Sequence, residues 1–280
     1  MNSFDHRLTQ RAQLLERRLV EKVWGRHILP PPFVAPKDRP IGEIWFDPIP
    51  QCDRLLIKYL FTSEKLSVQV HPSDRTAQIG EAGKDECWLV LDAAPGAQLA
   101  LGFCDEFKPQ QIADAARTGT IEQMLTWHDA RVGDVFFLPG GTVHAIGPGL
   151  AMVEVQQHSD TTFRLYDYGR PRELHLERAL AVANCGPLHS QHHRTVGAAN
   201  ETLLEAEHFR LDRVVKQPDI ALAAAYPGGV LALPLKGEVI ARSARNEPAI
   251  RAGMGDCLYS PSFDLLDFSA AEITLLSWMR

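Results

Sequence analysis

The stretch Leu66-Ser67-Val68-Gln69-Val70-His71-Pro72 constrains this chain more than any other. Apolar and polar residues alternate along it, the pattern of a strand with one face buried and one face left for other work. Successive side chains of a strand point to opposite faces, so Gln69 and His71 project together from one of them. Two further ligand-type residues follow: Glu86 in Lys84-Asp85-Glu86-Cys87-Trp88, and His144 in Leu138-Pro139-Gly140-Gly141-Thr142-Val143-His144. Imidazole, carboxylate and carboxamide together hold a divalent metal while leaving a position open for substrate. In this order, and set in strand-like segments, they point to a metal-dependent site inside a small β-barrel.

The surrounding pattern agrees with a mainly β chain. Short apolar runs at 42–45, 54–62, 65–71, 86–92 and 98–103 are broken by Pro, Gly and Asp, as in a sandwich or barrel. Strand-like runs resume at 130–138, 142–146, 151–157 and 161–168. Between them, residues 108–126 carry helical spacing (Ile112, Ala115, Ala116, Ile121, Met124, Leu125), which predicts a small helical insertion, and residues 174–183 return to it. Leu8, Ala12, Leu15 and Leu19 predict an N-terminal helix over 1–20, and a Pro-rich connector follows at 29–40. The expected organisation is therefore a metal-binding domain over 21–183, a linker over 184–205 and a second β domain over 206–280. The histidines of the linker (His189, His192, His193) are read as solvated loop.

An internal echo supports the second domain. Arg131-Val132-Gly133-Asp134 runs into an apolar strand ending at Pro139, and Gly253-Met254-Gly255-Asp256 runs into one ending at Pro261. The second copy has no His after its Pro and no equivalent of Gln69 and His71, so packing or dimerisation is its expected role.

Composition sets the outer bounds. A formal net charge of −6 argues against a general nucleic-acid binder, which needs a basic face. The cysteines (Cys52, Cys87, Cys104, Cys185, Cys257) are scattered and odd in number, which disfavours a disulfide framework or a Cys-rich zinc site and favours a reducing compartment. No run approaches a membrane span and residues 1–18 offer no apolar leader core, so the expectation is a cytoplasmic protein with neither membrane nor nucleic-acid partner.

A Gly-Asp turn, a strand, then Pro-Gly and a His resembles the way a cupin barrel presents its last metal-ligating histidine. The fuller set resembles type I mannose-6-phosphate isomerases of the short bacterial form. The matching pieces are Val23-Trp24-Gly25, Gly42-Glu43-Ile44-Trp45, the segments around His71, Glu86 and His144, Glu154-Val155-Gln156-Gln157, and Ser159-Asp160-Thr161-Thr162-Phe163-Arg164-Leu165-Tyr166-Asp167-Tyr168. The resemblance implies a jelly-roll cupin barrel with a helical insertion and a degenerate cupin-like C-terminal domain. It also implies one Zn2+ per chain on Gln69, His71, Glu86 and His144, in a monomer or homodimer acting on a small sugar phosphate. Lys84 is then the candidate base, Asp160 assists ring opening with His71, and Arg164 steadies the enediolate or phosphate. Lys58 and Ser67 match phosphate contacts.

Other assignments remain open on the residues. His158 is an alternative ligand, Lys84 an exposed turn lysine, Lys58 a solvent-facing strand residue, and Asp160 with Arg164 an ordinary ion pair on one strand face. Trp24 and Trp45 read as packing rather than sugar platforms. The chain departs from the family pattern at Trp24-Gly25-Arg26, at Phe46-Asp47-Pro48-Ile49-Pro50 and after Tyr168, where the outer substrate pocket is expected. A related or unphosphorylated sugar, and a sugar-binding or regulatory cupin without catalysis, are therefore the alternatives. An Fe(II) oxygen-chemistry cupin is disfavoured by the Gln69/Glu86 pair.

Overall fold

The computed structural model describes residues 11–189, 192–242 and 248–280. The chain divides into two units: residues 18–45 with 53–196, and the described parts of residues 1–17, 46–52 and 197–280.

Period-two alternation builds the larger unit. One sheet has seven strands, in spatial order His193–Thr195, Asp134–Leu138, Glu86–Ala93, Leu150–Gln157, Leu55–Phe61, Ile41–Phe46 and Arg17–Arg26. The other has five: Phe163–Tyr166, Val68–Val70, His144–Ile146, Gln98–Phe103 and Leu125–Asp129. Trp88, Val90, Phe136, Met152 and Leu60 of the first sheet pack against Leu99, Leu101 and Ile146 of the second, forming a core between them. The alternate residues of the second sheet, Val68, Val70, Ala100 and Ala145, face the opposite way, where Ile112, Ala115, Ala116 and Ala179 cover them. Both faces of the five-stranded sheet are therefore buried, one on the barrel interior and one under helices. Fully burying a side chain such as Leu99 or Ile112 contributes about 1.5–3 kcal/mol.

The covering helix, Pro109–Thr118, opens with Pro at its first turn and stops at Gly119, whose φ of 78° few other residues adopt at little strain. Its buried residues fall three and four apart, matching the spacing read from sequence. A 3-10 turn, Thr120–Met124, completes the insertion, and Leu176–Val182 is helical.

The smaller unit contains a six-stranded sheet, ordered Gln13–Leu14, Leu258–Ser260, Val230–Gly237, Ala271–Met279, Phe209–Val215 and Glu201–Glu205. Its Gly-Asp turn has the geometry of its counterpart in the larger unit. Gly133 and Gly255 both have φ of 91°. Asp134 accepts from Arg131 N–H at 2.9 Å and Asp256 accepts from Gly253 N–H at 3.0 Å, each closing the turn with its own carboxylate. The sequence echo is thus a repeated turn-and-strand device.

Two expectations are corrected. Residues 11–20 do not form the helix expected over 1–20, whose first ten residues lie outside those described. Gln13–Leu14 pairs with Leu258 and Tyr259, and Arg17–Arg26 is the edge strand of the larger sheet. Sheet edges offer the ladder hydrogen bonds that a helix would otherwise supply internally. The 184–205 segment is not simply a linker either. His193–Thr195 pairs with Asp134–Leu138, and the His193 ring stacks on Phe136 at 4.3 Å instead of standing in solvent.

The turn before His144 is where three segments meet. Gly141 N–H donates to the His71 carbonyl at 2.7 Å, and Gly140 N–H donates to the Asp85 carboxylate at 2.7 Å. A Cβ on Gly140 would lie 2.6 Å from the Pro72 carbonyl oxygen and the Ser73 backbone, well inside contact distance. Gly140→Ala is therefore expected to cost about 1–3 kcal/mol in urea unfolding and to weaken divalent-metal binding; a variant as stable and as metal-avid as wild type would show that this turn yields freely.

Candidate metal centre

Four side chains converge because three strands end together. Gln69 on Val68–Val70 is the direct antiparallel partner of His144 on one side and of Arg164 on the other. Directly opposed residues point to one face, so all three face the barrel interior. His71 follows that strand by one residue, and Glu86 starts the Glu86–Ala93 strand. The ligand-type atoms of His71, Glu86 and His144 lie within 4.8 Å of one another, and all three residues are buried. His71 Nε2 is 3.3 Å from Glu86 Oε1, and His144 Nε2 is 3.9 Å from Glu86 Oε2. The Gln69 carboxamide nitrogen sits 3.2 Å from His144 Nε2 and 3.5 Å from His71 Nε2.

The imidazoles are oriented for ligation. His71 Nδ1 lies 2.8 Å from the Thr161 carbonyl and His144 Nδ1 lies 2.9 Å from the Thr142 carbonyl. A carbonyl only accepts, so each Nδ1 carries the proton and each Nε2 presents a lone pair to the common point. Ser67 Oγ donates to Gln69 Oε1 at 2.9 Å. A half-turn of the carboxamide presents Oε1 to that point and its NH2 to Ser67 Oγ, which also accepts. Two imidazole nitrogens, a carboxylate and a carboxamide oxygen make a donor set suited to a borderline divalent ion such as zinc.

Electrostatics favour the same state. Burial, reinforced by the Lys84 ammonium, holds His71 well below the ordinary histidine range. Burial likewise lowers His144. Burial alone would raise the Glu86 carboxyl, but Lys84 and the two histidines hold it well below the usual carboxylate range. The Lys84 nitrogen is 2.5 Å from Glu86 Oε1 and 3.4 Å from His71 Nε2. Lys84 reaches this place from the loop before the strand, its N–H donating to the Pro72 carbonyl at 2.9 Å, and it is buried rather than the exposed turn lysine of the alternative reading.

From this cluster a chain of alternating charges crosses the interior. Lys84 lies 3.8 Å and Lys58 3.3 Å from Glu154 Oε1; Lys58 lies 3.5 Å and Lys22 3.0 Å from Glu43. Burial and the neighbouring Glu86 charge push the Glu154 carboxyl up to about 8. Lys58 is buried between the Glu43 carboxylate and the Glu154 carboxyl, and its ammonium is raised above its ordinary value despite burial, first by Glu154 and then by Glu43. That is a compensated interior cation, not the open strand lysine of the alternative reading. These groups line a cavity of about 450 Å³, together with Trp24, Trp45, Gln69, Asp160, Arg164, Arg172 and His175.

Other expected residues fall elsewhere. Asp160 is exposed in the loop before the Phe163–Tyr166 strand, so it and Arg164 share the cavity lining but not a strand face. His158 is exposed with Nδ1 2.7 Å from the Asp53 carbonyl, and it is not among the clustered ligand-type residues. Trp45 packs under Arg18, whose guanidinium lies 4.5 Å from the ring centre, and Trp45 also lines the cavity. Glu43, Glu154, Arg172 and His175 carried no assigned role in the sequence reading. For Glu154 the signal was present in the alternation Met152, Glu154, Gln156, whose members all face inward.

Comparison with known proteins meets this geometry. No family model matches the chain. Over 172 residues it is 38% identical to mannose-6-phosphate isomerase ManA of Bacillus subtilis, a match covering 57% of this chain and 54% of that relative. Over 140 residues it is 41% identical to mannose-6-phosphate isomerase of Streptococcus mutans, covering 47% and 44%. The chain thus matches about half the length of these curated relatives. Among solved structures, mannose 6-phosphate isomerase of Bacillus subtilis superposes with a TM-score of 0.75 at 21% identity, over 96% of this chain and 100% of that one. A putative mannosephosphate isomerase of Archaeoglobus fulgidus gives 0.70 at 17% identity, over 96% and 97%. The resemblance read from the motifs and the likeness of the fold therefore agree, and the mainly β barrel is the architecture these structures share.

Acid should separate the buried histidines from ordinary ones. In metal-free protein His71 and His144 stay neutral at a pH where the unfolded chain, near its ordinary value of 6.5, takes up protons. The unfolded state then binds more protons, and stability falls with pH by up to about 1.4 kcal/mol per unit for each histidine. Glu154 opposes this, because the folded state keeps a proton that the unfolded chain loses above its ordinary 4.5. Two groups outweigh one. The urea midpoint of metal-free protein is expected to fall between about pH 6.5 and 5; a midpoint that rises would mean that the folded histidines are charged.

Proposed function

We propose that this chain is a zinc-dependent aldose–ketose isomerase that interconverts mannose 6-phosphate and fructose 6-phosphate through an enediol(ate). The observation that carries the reading is the convergence of Gln69, His71, Glu86 and His144 in a cavity with Lys84 in contact with two of them. The names of the curated relatives supply the substrate. Gln69, His71, Glu86 and His144 would hold the zinc, one ion per chain. When bound, the ion supplies Lewis-acid polarisation of the sugar oxygens without redox chemistry of its own.

The residues divide the rest of the work. The reaction removes a proton from C2 and returns one to C1, so it needs a base within hydrogen-bond reach of the carbon acid. Lys84, which lines the cavity beside Glu86 and His71, takes that role in this reading. Its ammonium nitrogen touches Glu86 Oε1 at 2.5 Å and lies 3.4 Å from His71 Nε2, which fixes it beside the ligand cluster. Arg164, the cross-strand neighbour of Gln69, faces the same space and presents its guanidinium to negative charge on the substrate. Asp160 lines the cavity from an exposed loop, where it can take and return the hydroxyl proton as the ring opens.

A coupled assay for fructose 6-phosphate, run on zinc-loaded and chelator-stripped protein with free mannose alongside, tests the reading. Zinc-dependent turnover of the phosphosugar is expected, and zinc binding without turnover of either sugar would leave a sugar-binding barrel instead. Lys84→Ala is expected to keep its zinc and lose about 10²–10⁴ in turnover; unchanged turnover would remove Lys84 from the chemistry.

A further inference from the structure

A sugar phosphate brings a dianion into this cavity, and each interior ammonium already has a carboxyl neighbour. Lys22, Lys58 and Lys84 are each within ion-pair distance of Glu43, Glu154 or Glu86, three ammonium groups against three carboxyl groups. Ser67, the other expected phosphate contact, is buried with its hydroxyl donated to Gln69. Bringing a phosphate to Lys58 would set it against the ionised Glu43, 3.5 Å from that ammonium.

The other charged groups lining the cavity are Arg18, Arg164, Arg172 and Asp160. Arg18 lies across Trp45. Arg172 is held in place from behind: Nε donates to Asp167 Oδ2 at 2.5 Å and Nη2 donates to Oδ1 at 2.6 Å. Asp167 is almost wholly buried and also receives Arg170 Nη2 at 2.7 Å, so one carboxylate anchors two guanidinium groups, and Arg170 lies 3.7 Å from Glu64 as well. Arg172 Nη1 is left without a hydrogen-bond partner among the described residues. Arg164 reaches the same cavity from the strand, its side chain likewise making no hydrogen bond among the described residues. Its backbone N–H donates to His175 Nδ1 at 3.2 Å, which leaves the proton of that neutral ring on Nε2 as a further donor.

We propose that Arg172, fixed by Asp167, and Arg164 form the clamp that receives the phosphate of the sugar, with Asp167 as a positioning residue. The assignment rests on the isomerase reading above and replaces Lys58 and Ser67 in that role. Guanidinium groups suit it, since a planar fork meets phosphate oxygens with directed, charge-assisted hydrogen bonds. Burial, then the nearby Arg172 charge, disfavours the charged form of Arg164. Two like charges lining one cavity are relieved when an anion lies between them.

The test uses zinc-loaded full-length chain, mannose 6-phosphate as substrate and inorganic phosphate as a second probe. Arg172→Gln leaves Asp167 paired with Arg170, so the fold is retained. It is expected to raise KM for mannose 6-phosphate about 10- to 100-fold and to weaken inhibition by inorganic phosphate by a similar factor. The change in kcat should stay within about threefold, and zinc content should be unchanged. Asp167→Asn should move KM in the same direction, and Arg172→Lys should recover part of the loss. Unchanged KM and phosphate inhibition in Arg172→Gln, in a wild type that turns over, would overturn the clamp and leave the isomerase reading intact. A wild type that binds inorganic phosphate through Arg172 yet isomerises nothing would support the anion site and overturn the isomerase reading.

Discussion

Compensated charge inside the barrel is the constraint on which this unit depends. Removing an ion from water costs several kcal/mol even after relaxation, and taking away one member of a buried pair leaves the other uncompensated. Lys84 and Glu86 are in contact at 2.5 Å with both side chains almost fully buried, and Glu154 stands between Lys84 and Lys58. No member is expendable without a consequence for its neighbours. The same arrangement explains why the metal-ligand candidates tolerate burial. Glu86 stays ionised because Lys84 faces it, and the histidines stay neutral because burial and that ammonium both disfavour their protonation.

Hydrogen bonds outside the cluster decide which atoms meet within it. The Thr161 and Thr142 carbonyls take the Nδ1 protons, and the Gly140–Gly141 turn ties the loop before His144 to the His71 and Asp85 backbone segments. These contacts join residues far apart in sequence. The site is rigid because three strand ends are tied together, not because any one of them is stiff.

That dependence marks what the sequence could disclose. The alternation around Gln69 and His71 was legible, since period two follows from strand geometry alone and both residues do face inward. The helix at Pro109–Thr118 was legible from its spacing and its stop at Gly119. The first strand was not, because Leu15 and Leu19 fit a helical period while Arg18, Val20, Lys22 and Trp24 fit a period of two; these four line the cavity. Edge pairing chose between the two periods, and a linear pattern does not contain the partner strand. Asp160 does not share a strand face with Arg164 because the strand begins only at Phe163. Lys58 looked like an open cation since its neutralising partners, Glu43 and Glu154, are 15 and 96 residues away in sequence and arrive only through sheet register.

Register also explains how one barrel holds both a core and a polar site. On the inward face of Leu55–Phe61 the residue changes from Lys58 to Leu60, and on Leu150–Gln157 from Gln156 and Glu154 to Met152. On Glu86–Ala93 it changes from Glu86 through Trp88 to Val90, and on His144–Ile146 from His144 to Ile146. Antiparallel pairing aligns these changes, setting Lys58 and Trp88 beside Glu154, and Leu60 and Val90 beside Met152. Half of the interior is therefore apolar and half charged, with Trp88 at the boundary, edge-on to His144 at 5.4 Å. An apolar wall this close excludes water and strengthens every charge interaction beside it. A strand averaged over its length reads as ordinary core, and the site becomes visible only when the strands are aligned row by row.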